Sequence, residues 1–340
     1  WGCARTGTFN NDMISLPEAP HGIRTGTFRS LSQEVEQHAG PQKPIPFAVI
    51  QVARHRTVLF EAAYGPNLTA GNSSREAIFD VASLTKPLAT ASSVAVLLCD
   101  GRATLDDQLD QYTLRQLLTH DTKLPILPDW KKLPSHRWSP ELVTELVLTQ
   151  EPQSTSGYTN TGYTLLGLWV EKSSGTPLDQ FAHANVFAPL GMTSTTWRPN
   201  ASLTVRTAKD QQPGRPFDPF ADYAQHLGNT PGHSGLFSTV GDVGRFAQSL
   251  LNPETPLEKC LAGVLLQPAA PRYTLGFERR EDGTLEHTGY TGCLLWLDPT
   301  SGTSLVLLTN QTLTGAEPQW LELKQELIRK MKAGIIRKTP

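Results

Sequence analysis

The stretch Ser83-Leu84-Thr85-Lys86 places a hydroxyl and an amine three residues apart. On a helix this spacing brings both side chains to one face. A serine hydroxyl attacks a carbonyl group when a base lies within hydrogen-bond reach, and a lysine one turn away can be that base if its pKa is lowered. The positive end of the helix dipole disfavours an extra cation near the first turn, so we expect Lys86 to be shifted toward its neutral form.

The residues around this pair predict a short strand followed by a buried helix. Phe79-Asp80-Val81-Ala82 is typical of an extended lead-in, and residues 87–98 are rich in Ala, Val and Leu at helical spacing until Asp100-Gly101 ends the pattern. A Ser-x-x-Lys match is expected by chance about once in a chain of this length. The Ser-x-x-Lys motif alone is therefore weak evidence for a catalytic site, and the predicted strand and buried helix around it strengthen that interpretation.

Length and charge restrict the classes of function. The chain has 340 residues, enough for about two domains or for one domain with a large insertion. Its 30 Lys and Arg residues nearly balance 32 Asp and Glu residues, so nucleic acids and anionic membranes are poor partners. Apolar runs such as residues 94–98 are much shorter than the roughly 18 residues of a membrane-spanning helix. The sequence predicts no spanning segment and leaves the oligomeric state unknown.

The cysteines and the first residues give limited information. No Cys-x-x-Cys is present, so the pattern predicts neither a zinc site nor a disulfide framework among Cys3, Cys99, Cys260 and Cys293. Cys99 lies in an apolar helix and is expected to be a small core residue. Because the chain begins Trp1-Gly2-Cys3, we expect that an upstream part was removed. Gly2-Cys3 is open to two interpretations, the end of a lipoprotein cleavage site or an unrelated start.

The order of the predicted elements indicates a mixed α/β (α+β) fold. Helices are predicted at residues 27–38, 87–98, 113–119, 161–171, 178–187, 240–251 and 318–333, with a further helix beginning at Ser139-Pro140. Strands are predicted at residues 46–52, 57–63, 273–278, 285–289, 293–297 and 304–309, and residues 198–225 are predicted as a long loop.

Because strands lie at both ends of the chain, we expect an antiparallel β-sheet flanked by helices, with an inserted all-helical domain. The predicted division is an irregular segment at 1–25, a sheet domain at 26–108 and 221–340, and a mostly helical domain at 109–220. A site is expected in the cleft between the two domains.

Further polar segments fit the same chemistry. Gly157-Tyr158-Thr159-Asn160 places a phenol and an amide before a helix, and His287-Thr288-Gly289 lies on a predicted strand. Taken alone, Tyr158 would more often be a packing residue. His120 and His233 are expected to be hydrogen-bonded structural residues, because no metal-binding spacing surrounds them.

The succession Ser-x-x-Lys, Tyr-x-Asn, His-Thr-Gly resembles the serine β-lactamase and penicillin-binding-protein superfamily. The branch that it resembles most contains class C β-lactamases, D-alanyl-D-alanine carboxypeptidases and related carboxylesterases. Five segments are similar to signatures of this family, namely residues 79–86, 117–120, 158–167, 189–192 and 287–292. The ordered set is far more specific than any single match, and it implies a β-lactamase/transpeptidase-like fold.

The resemblance implies a serine hydrolase that needs no metal and no cofactor and acts on a small-molecule or peptide substrate. Ser83 would be the nucleophile, with Lys86 and Tyr158 in the proton relay. Asn160 would hold Lys86 and the substrate amide. The backbone N–H groups of Ser83 and Tyr290 would form an oxyanion hole. The implied substrate-binding residues are Asn160, His287, Thr288, Gly289 and Tyr290.

Several positions depart from the family pattern. His287 stands where most β-lactamases have lysine, and its ordinary pKa makes it a conditional cation, so we expect weaker and pH-dependent recognition of a substrate carboxylate. Asp121-Thr122-Lys123 replaces a Thr-Ser-Gly turn, which must then be built differently. Cys293 replaces a small hydroxyl residue and is expected to be structural.

Two functions remain open. The first is a hydrolase acting through a Ser83 acyl-enzyme on an ester, a D-amino-acid peptide or a β-lactam amide. The alternative is a non-catalytic penicillin-binding or sensor protein that retains the cleft. For localisation, export to the cell envelope or periplasm is favoured over the cytoplasm.

Overall fold

The computed structural model describes residues 13–65, 74–133 and 137–336. Trp1-Gly2-Cys3 lies outside this range, so the lipoprotein interpretation stays a prediction. Within residues 1–25, which were predicted to be irregular, the described part contains a strand at Met13–Ser15 and one helical turn at Ala19–His21.

A seven-stranded antiparallel sheet organises the fold, with strand order β1-β3-β2-β11-β10-β9-β8. Its strands are β1 Met13–Ser15, β2 Ala48–Arg54, β3 Thr57–Tyr64, β8 Glu278–Arg279, β9 Leu285–Gly289, β10 Cys293–Asp298 and β11 Thr303–Thr309. Two small hairpin-like pairs are β4 Phe79–Asp80 with β7 Phe237–Ser238, and β5 Gln108–Leu109 with β6 Tyr112–Thr113. The predicted antiparallel sheet is confirmed, with strands from both ends of the chain adjacent at β2 and β11.

Helices cover both faces of the sheet, and several of them come from the middle of the sequence, between the two groups of strands. They are α1 Thr27–His38, α2 Ser92–Cys99, α3 Leu114–Leu118, α4 Pro140–Leu148, α5 Asn160–Ser174, α6 Leu178–Ala182, α7 Pro219–His226, α8 Val240–Leu251, α9 Pro256–Leu265 and α10 Glu317–Gly334. A π-helical stretch, Lys86–Ala91, leads directly into α2. Among them, α1 and α8 have the predicted bounds, and Thr239 caps α8 by accepting a hydrogen bond from the Asp242 N–H.

Alternating residues of the central strands divide the core into two layers. On β10, Leu294 and Trp296 pack toward α1 and α10, whereas Leu295 and Leu297 belong to the layer that contains α2 and α8. This two-residue period is the property of a strand buried on both faces. The second layer continues into the helical part at 109–220, so the proposed division into two domains remains a prediction.

Two parts of the predicted secondary structure are wrong. The expected loop at 198–225 contains the start of α7, where Asp218 caps the helix and Pro219 occupies its first position. The predicted strand at 273–278 is reduced to Glu278–Arg279. Helix α9 was not predicted, although Thr255 and Glu258 form a capping box around Pro256. In both helices a proline inside the first turn was the local signal.

The segment Ala82–Cys99 has the length and hydropathy that could cross a membrane, contrary to the expectation from shorter runs. Within the fold, 83% of this segment is buried by protein. Its apolar side chains are accounted for by packing against α5, α6 and α9. Length and composition alone are therefore weak indications of a membrane span here.

The expectation for Cys99 is corrected by the fold. Cys99 at the end of α2 forms a disulfide with Cys260 of α9, 161 residues further along the chain. Because the two helices pack side by side, the Cα atoms are 6.1 Å apart, within the range that a disulfide spans. Distance in space pairs these cysteines, and sequence spacing carried no sign of it.

Candidate active site

A strained turn presents Ser83 between β4 and the π-helical stretch. Ala82 has a φ of +46°, which is unusual for a residue with a side chain. The turn is held by Asp80, whose carboxylate accepts hydrogen bonds from the N–H groups of Ala82 (2.9 Å) and Phe217 (2.7 Å). Burial raises the pKa of Asp80 to about 7 despite these two bonds. Asp80, three residues before Ser83, therefore fixes the shape of the turn that carries Ser83.

Strand β9 lies against the same turn at Gly289. A Cβ atom on Gly289 would come within 2.4 Å of the Val81 carbonyl oxygen, so no larger residue fits without moving β9. Gly289 is buried, which indicates a packing role. Its small size lets β9 pack directly against the residue two positions before Ser83.

Lys86 is completely buried and makes three hydrogen bonds. Its Nζ atom lies 3.0 Å from Ser83 Oγ, 2.6 Å from Asn160 Oδ1 and 3.0 Å from the His233 carbonyl oxygen. The Asn160 Oδ1 atom and the His233 carbonyl oxygen can only accept hydrogen bonds. A neutral amine has two N–H groups, and it can donate one to each of these oxygens. The nitrogen lone pair is then left for the Ser83 hydroxyl proton.

Burial lowers the pKa of Lys86 to about 7, and the negative charge of Asp218 opposes this shift. Desolvation is the larger influence because the amine lies in the interior of the protein. A large fraction of Lys86 is thus neutral near pH 7, as expected from its position at the start of a buried helix. A lysine with its ordinary pKa would carry no lone pair at this pH.

Tyr158 approaches Ser83 from the opposite part of the chain. Its hydroxyl donates to Ser83 Oγ at 2.9 Å, and its ring is 39% exposed. Desolvation raises the pKa of Tyr158 well above its usual value, although the hydrogen bond to Ser83 opposes the shift. The phenol therefore keeps its proton at neutral pH, and of the two neighbours of Ser83 the lysine is the better base.

The loop before α5 positions Tyr158 and Asn160. Thr159 caps α5 by accepting from the N–H groups of Thr161 and Gly162, and its hydroxyl donates to the Pro125 carbonyl (2.7 Å). The Asn160 N–H donates to the Ile126 carbonyl (2.9 Å). Residues 125–126 thus hold Thr159 and Asn160, the last two residues of the Tyr-x-Asn segment.

The unusual Asp121-Thr122-Lys123 turn supports this loop through its backbone. His120 has a φ of +58°, and the Asp121 N–H donates a hydrogen bond to the Gln116 carbonyl oxygen at 2.9 Å. The Lys123 carbonyl accepts from the Gln153 N–H at 2.7 Å. Main-chain hydrogen bonds therefore build the turn that the family makes with other residues.

A buried pair behind Lys86 was missed by the sequence analysis. His233 Nε2 lies 3.3 Å from Asp218 Oδ1, and His233 Nδ1 lies 3.0 Å from the Thr164 hydroxyl. Although desolvation pushes the other way, His233 and Lys86 keep the pKa of Asp218 below its usual value. The only local signal was Asp218-Pro219, a helix start within the expected loop.

The resemblance assigns an oxyanion hole to the backbone N–H groups of Ser83 and Tyr290. Among the described residues, the Tyr290 N–H, which follows β9, makes no main-chain hydrogen bond. The Tyr290 carbonyl accepts from Gln311 Nε2 (2.6 Å), and its ring, 58% exposed, stacks on Phe217 at 5.5 Å. A backbone N–H group without a protein acceptor is available to donate to a ligand atom.

His287 behaves differently from the expectation. Desolvation, followed by repulsion from Lys86, lowers the pKa of His287 to about 3. Burial therefore disfavours the conditional cation predicted at this position, and the ring is neutral at neutral pH. An imidazole titrates near neutral pH only when water or an anion stabilises its charged form.

A recess of about 110 Å³ adjoins Tyr158 and His287. A larger cavity of about 750 Å³ lies elsewhere, between Arg56, Arg75 and Arg245, and none of the predicted site residues lines it. Cavity size and the predicted site residues therefore point to different places. The predicted residues Ser83, Lys86, Tyr158 and Asn160 are joined by hydrogen bonds beside the smaller recess.

Other expectations concern metals and thiols. The described residues contain no group of three or more His, Cys, Asp or Glu side chains suited to a metal ion. His120 accepts from the Thr159 N–H at 3.3 Å, so both His120 and His233 are hydrogen-bonded as expected. Cys293 is buried, and burial raises the pKa of its thiol to about 12, which makes it unreactive.

Comparison with known proteins agrees with this geometry. The profile of the Beta-lactamase family matches residues 31–327. A protein named "Putative D-alanyl-D-alanine carboxypeptidase" from Escherichia coli K12 is 26% identical over 314 residues, covering 71% of each chain.

Solved structures show the same fold. EstCE1, described as a hydrolase with promiscuous acyltransferase activity, superposes with a TM-score of 0.67 at 18% identity over 88% of this chain and 98% of its own. A class C β-lactamase from Rhodobacter sphaeroides superposes with a TM-score of 0.68 at 16% identity over 89% and 98% of the two chains. With most of its length matched by the family profile and its fold shared with these enzymes, the chain belongs to the Beta-lactamase family.

Proposed function

We propose that the protein is a serine hydrolase that forms an acyl-enzyme at Ser83 with an ester, a D-amino-acid peptide or a β-lactam amide. One observation carries the proposal, namely that Ser83 Oγ lies 3.0 Å from Lys86 Nζ and 2.9 Å from the Tyr158 hydroxyl. A nucleophile in contact with a base and with a second proton carrier has the parts that acyl transfer requires.

In the proposed first step, neutral Lys86 takes the Ser83 hydroxyl proton while Ser83 Oγ bonds to the substrate carbonyl carbon. The resulting oxyanion accepts hydrogen bonds from the Ser83 and Tyr290 N–H groups. Among the described residues the Tyr290 N–H has no main-chain acceptor, which supports this role. Preorganised donors of this kind lower an acyl-transfer barrier by roughly 3–4 kcal/mol each.

In the second step, the bond to the leaving oxygen or nitrogen breaks, and that atom takes the Tyr158 proton. Lys86 returns its added proton to Tyr158, so the step ends with the acyl-enzyme and a protonated leaving atom, which departs with its substituent from an ester or peptide and stays attached to the acyl group of an opened β-lactam. The raised pKa of Tyr158 supports a proton carrier that starts as the phenol. Water then enters in place of the leaving group, and the same transfers run in reverse to release the acid.

Asn160 would act on both sides of this reaction. Its Oδ1 accepts from Lys86 Nζ at 2.6 Å, which orients the amine toward Ser83. The amide nitrogen of the same side chain is then the donor for a substrate carbonyl.

The proposal also concerns the compartment. The Cys99–Cys260 disulfide is typical of proteins that fold in an oxidising environment, which favours export to the cell envelope.

Intact-protein mass spectrometry tests the proposed nucleophile. After treatment with a fluorophosphonate or a penicillin, we expect one covalent adduct in the wild type and none in Ser83→Ala. Ser93→Ala is the matched control, since its buried hydroxyl has no hydrogen-bond partner among the described residues, and it should label like the wild type. No adduct with any acylating probe would contradict the proposal, whereas a stable adduct without product release would favour the non-catalytic penicillin-binding or sensor protein.

A further inference from the structure

The recess beside Tyr158 is walled mainly by rings. Tyr158, Tyr163, Tyr273 and Phe277 line it together with His120 and His287, and the remaining lining residues are Leu118, Gly276, Glu278, Glu286 and Thr288. His120 lies at the centre of this arrangement, with ring centroids 4.6 Å from Tyr158 and 5.3 Å from Tyr273. Packed aromatic walls favour an apolar occupant.

The recess is placed to receive one side of a substrate. Tyr158 contributes its ring to the wall and its hydroxyl to Ser83 Oγ. Under the proposed chemistry, Tyr158 passes a proton to the leaving atom, so the substituent on that atom must lie next to this ring. Thr288 and His287 of β9 form the facing part of the lining.

Both histidines of the recess are neutral. His287 Nδ1 donates to the Thr288 carbonyl at 3.1 Å, which leaves its Nε2 without a proton. His120 accepts from the Thr159 N–H through Nδ1, so its proton is on Nε2. Desolvation and the nearby Lys86 lower the pKa of both rings.

The charged residues of the recess are acidic. Glu278 is paired with Arg272 at 2.6 Å, and Glu286 with Arg280 and Lys324. Of the described residues that line the recess, none is lysine or arginine. A carboxylate placed here would lose water without gaining a lysine or arginine of the lining as its partner, because the nearby cations are already paired with Glu278 and Glu286.

Size sets a second limit. The volume of about 110 Å³ is smaller than the roughly 150 Å³ of an apolar cavity that holds a benzene ring. A short alkyl group fills such a space better than a bulky aromatic one.

We propose that this recess binds a short, uncharged substituent on the leaving atom, so that the enzyme prefers neutral esters or amides to substrates whose leaving group carries a carboxylate. The inference rests on the acyl-enzyme chemistry proposed above. It separates two substrate classes that the Ser83 site alone does not distinguish.

Matched substrates test this preference in the wild-type protein. The N-benzoylglycyl esters of methyl lactate and of lactate differ only in whether the leaving group carries a free carboxylate. At pH 8 we expect kcat/KM to be at least about tenfold higher for methyl lactate, and N-acyl-D-Ala-D-Ala amide to react faster than the free acid. Equal or faster reaction of the carboxylate-bearing members would overturn the inference.

The fluorophosphonate adduct at Ser83 is measured on the same preparation. An adduct together with a preference for carboxylates would reject only the recess assignment, whereas absence of the adduct would reject the acyl-enzyme as well. The two failures are therefore distinguishable.

A pair of variants tests the walls. Tyr273→Ala widens the recess, so the kcat/KM ratio of benzyl to methyl esters should rise about fivefold, while Tyr273→Phe keeps the ring and should leave the ratio near that of the wild type. An unchanged ratio in folded Tyr273→Ala would show that the substituent lies elsewhere. Circular dichroism and the Ser83 adduct establish that each variant is folded.

Discussion

The two ends of the segment Ala82–Cys99 are built on different principles. At its first end, Lys86 is buried at a cost in hydration and is surrounded by hydrogen-bond acceptors. At its last end, apolar residues fill the core and Cys99 is covalently joined to α9. The buried Lys86 lowers the stability of the fold, and the well-packed, cross-linked remainder of the helix compensates for it.

The anchoring extends to the polar side chains of the first end. Thr85 donates to the Ala82 carbonyl (2.6 Å) and accepts from the Leu236 N–H (3.1 Å), and Thr90 donates to the Gly232 carbonyl (2.5 Å). Each hydroxyl thus fixes the catalytic turn to the segment 232–236. A buried amine needs such a rigid frame, because a looser one would admit water and restore its ordinary pKa.

Replacing Lys86 should have the largest effect. In Lys86→Met, we expect hydrolysis to fall about 1,000- to 10,000-fold because Ser83 loses its base. Steady-state kinetics with an activated ester, with Ser93→Ala as control, measures this loss. Activity within tenfold of the wild type would show that another group activates Ser83.

The same variant tests the lowered pKa of Lys86 through the pH dependence of protein stability. Lys86 has a pKa of about 7 in the folded protein and about 10.4 when unfolded, so between these values the unfolded state binds one more proton. The free energy of unfolding of the wild type should therefore rise relative to Lys86→Met by about 1.4 kcal/mol per pH unit from pH 7 to 10. Urea titrations at three pH values measure the difference, and a constant difference would contradict the lowered pKa.

Removing the Tyr158 hydroxyl should have the next largest effect. Tyr158→Phe keeps the ring against His120, and we expect kcat to fall about 100-fold because the leaving atom loses its proton donor. Tyr163→Phe is the matched control, since the Tyr163 hydroxyl donates only to the Leu118 carbonyl at 3.0 Å. Equal losses in the two variants would mean that packing, not proton transfer, explains the role of Tyr158.

At the other end of the helix, the disulfide should affect stability rather than chemistry. The double variant Cys99→Ala, Cys260→Ala should lose about 2–4 kcal/mol of unfolding free energy, because the cross-link closes a long loop. Its kcat/KM at 25 °C should stay within about twofold of the wild type. A parallel loss of activity in the folded double variant would show that the two ends are coupled.

The smallest effect should come from Asp218. The rate should rise with pH through about 7 as Lys86 loses its proton. Because Asp218 raises the pKa of Lys86, Asp218→Asn should move this midpoint to lower pH and raise the relative kcat/KM at pH 6 about two- to fivefold. Asparagine still caps α7, which preserves the helix.

Asp222→Asn, in the same helix but paired with Arg215, is the control for that shift. Its pH profile should match the wild type. An unchanged midpoint in Asp218→Asn would contradict the influence of the Asp218 charge on the pKa of Lys86.

Local patterns predicted much of the secondary structure. Helices α1 and α8 and strand β9 were predicted at the observed bounds. Thr239 caps the start of α8, and Gly40-Pro41 follows the end of α1. Helix α7, which was predicted as loop, and helix α9, which was not predicted, each begin with a proline after a capping residue. This helix-start pattern is present in the sequence, but the turn-forming residues around it favoured the prediction of a loop.

Residue types at short spacing are enough to predict the ordered motifs and the family resemblance. The folded structure adds that Cys99 meets Cys260, that Asp218 and His233 lie behind Lys86, and that His287 is neutral. These properties arise from desolvation and from contacts between distant segments. Neither has a local signature, because the free energy of a charge depends on what the fold packs around it.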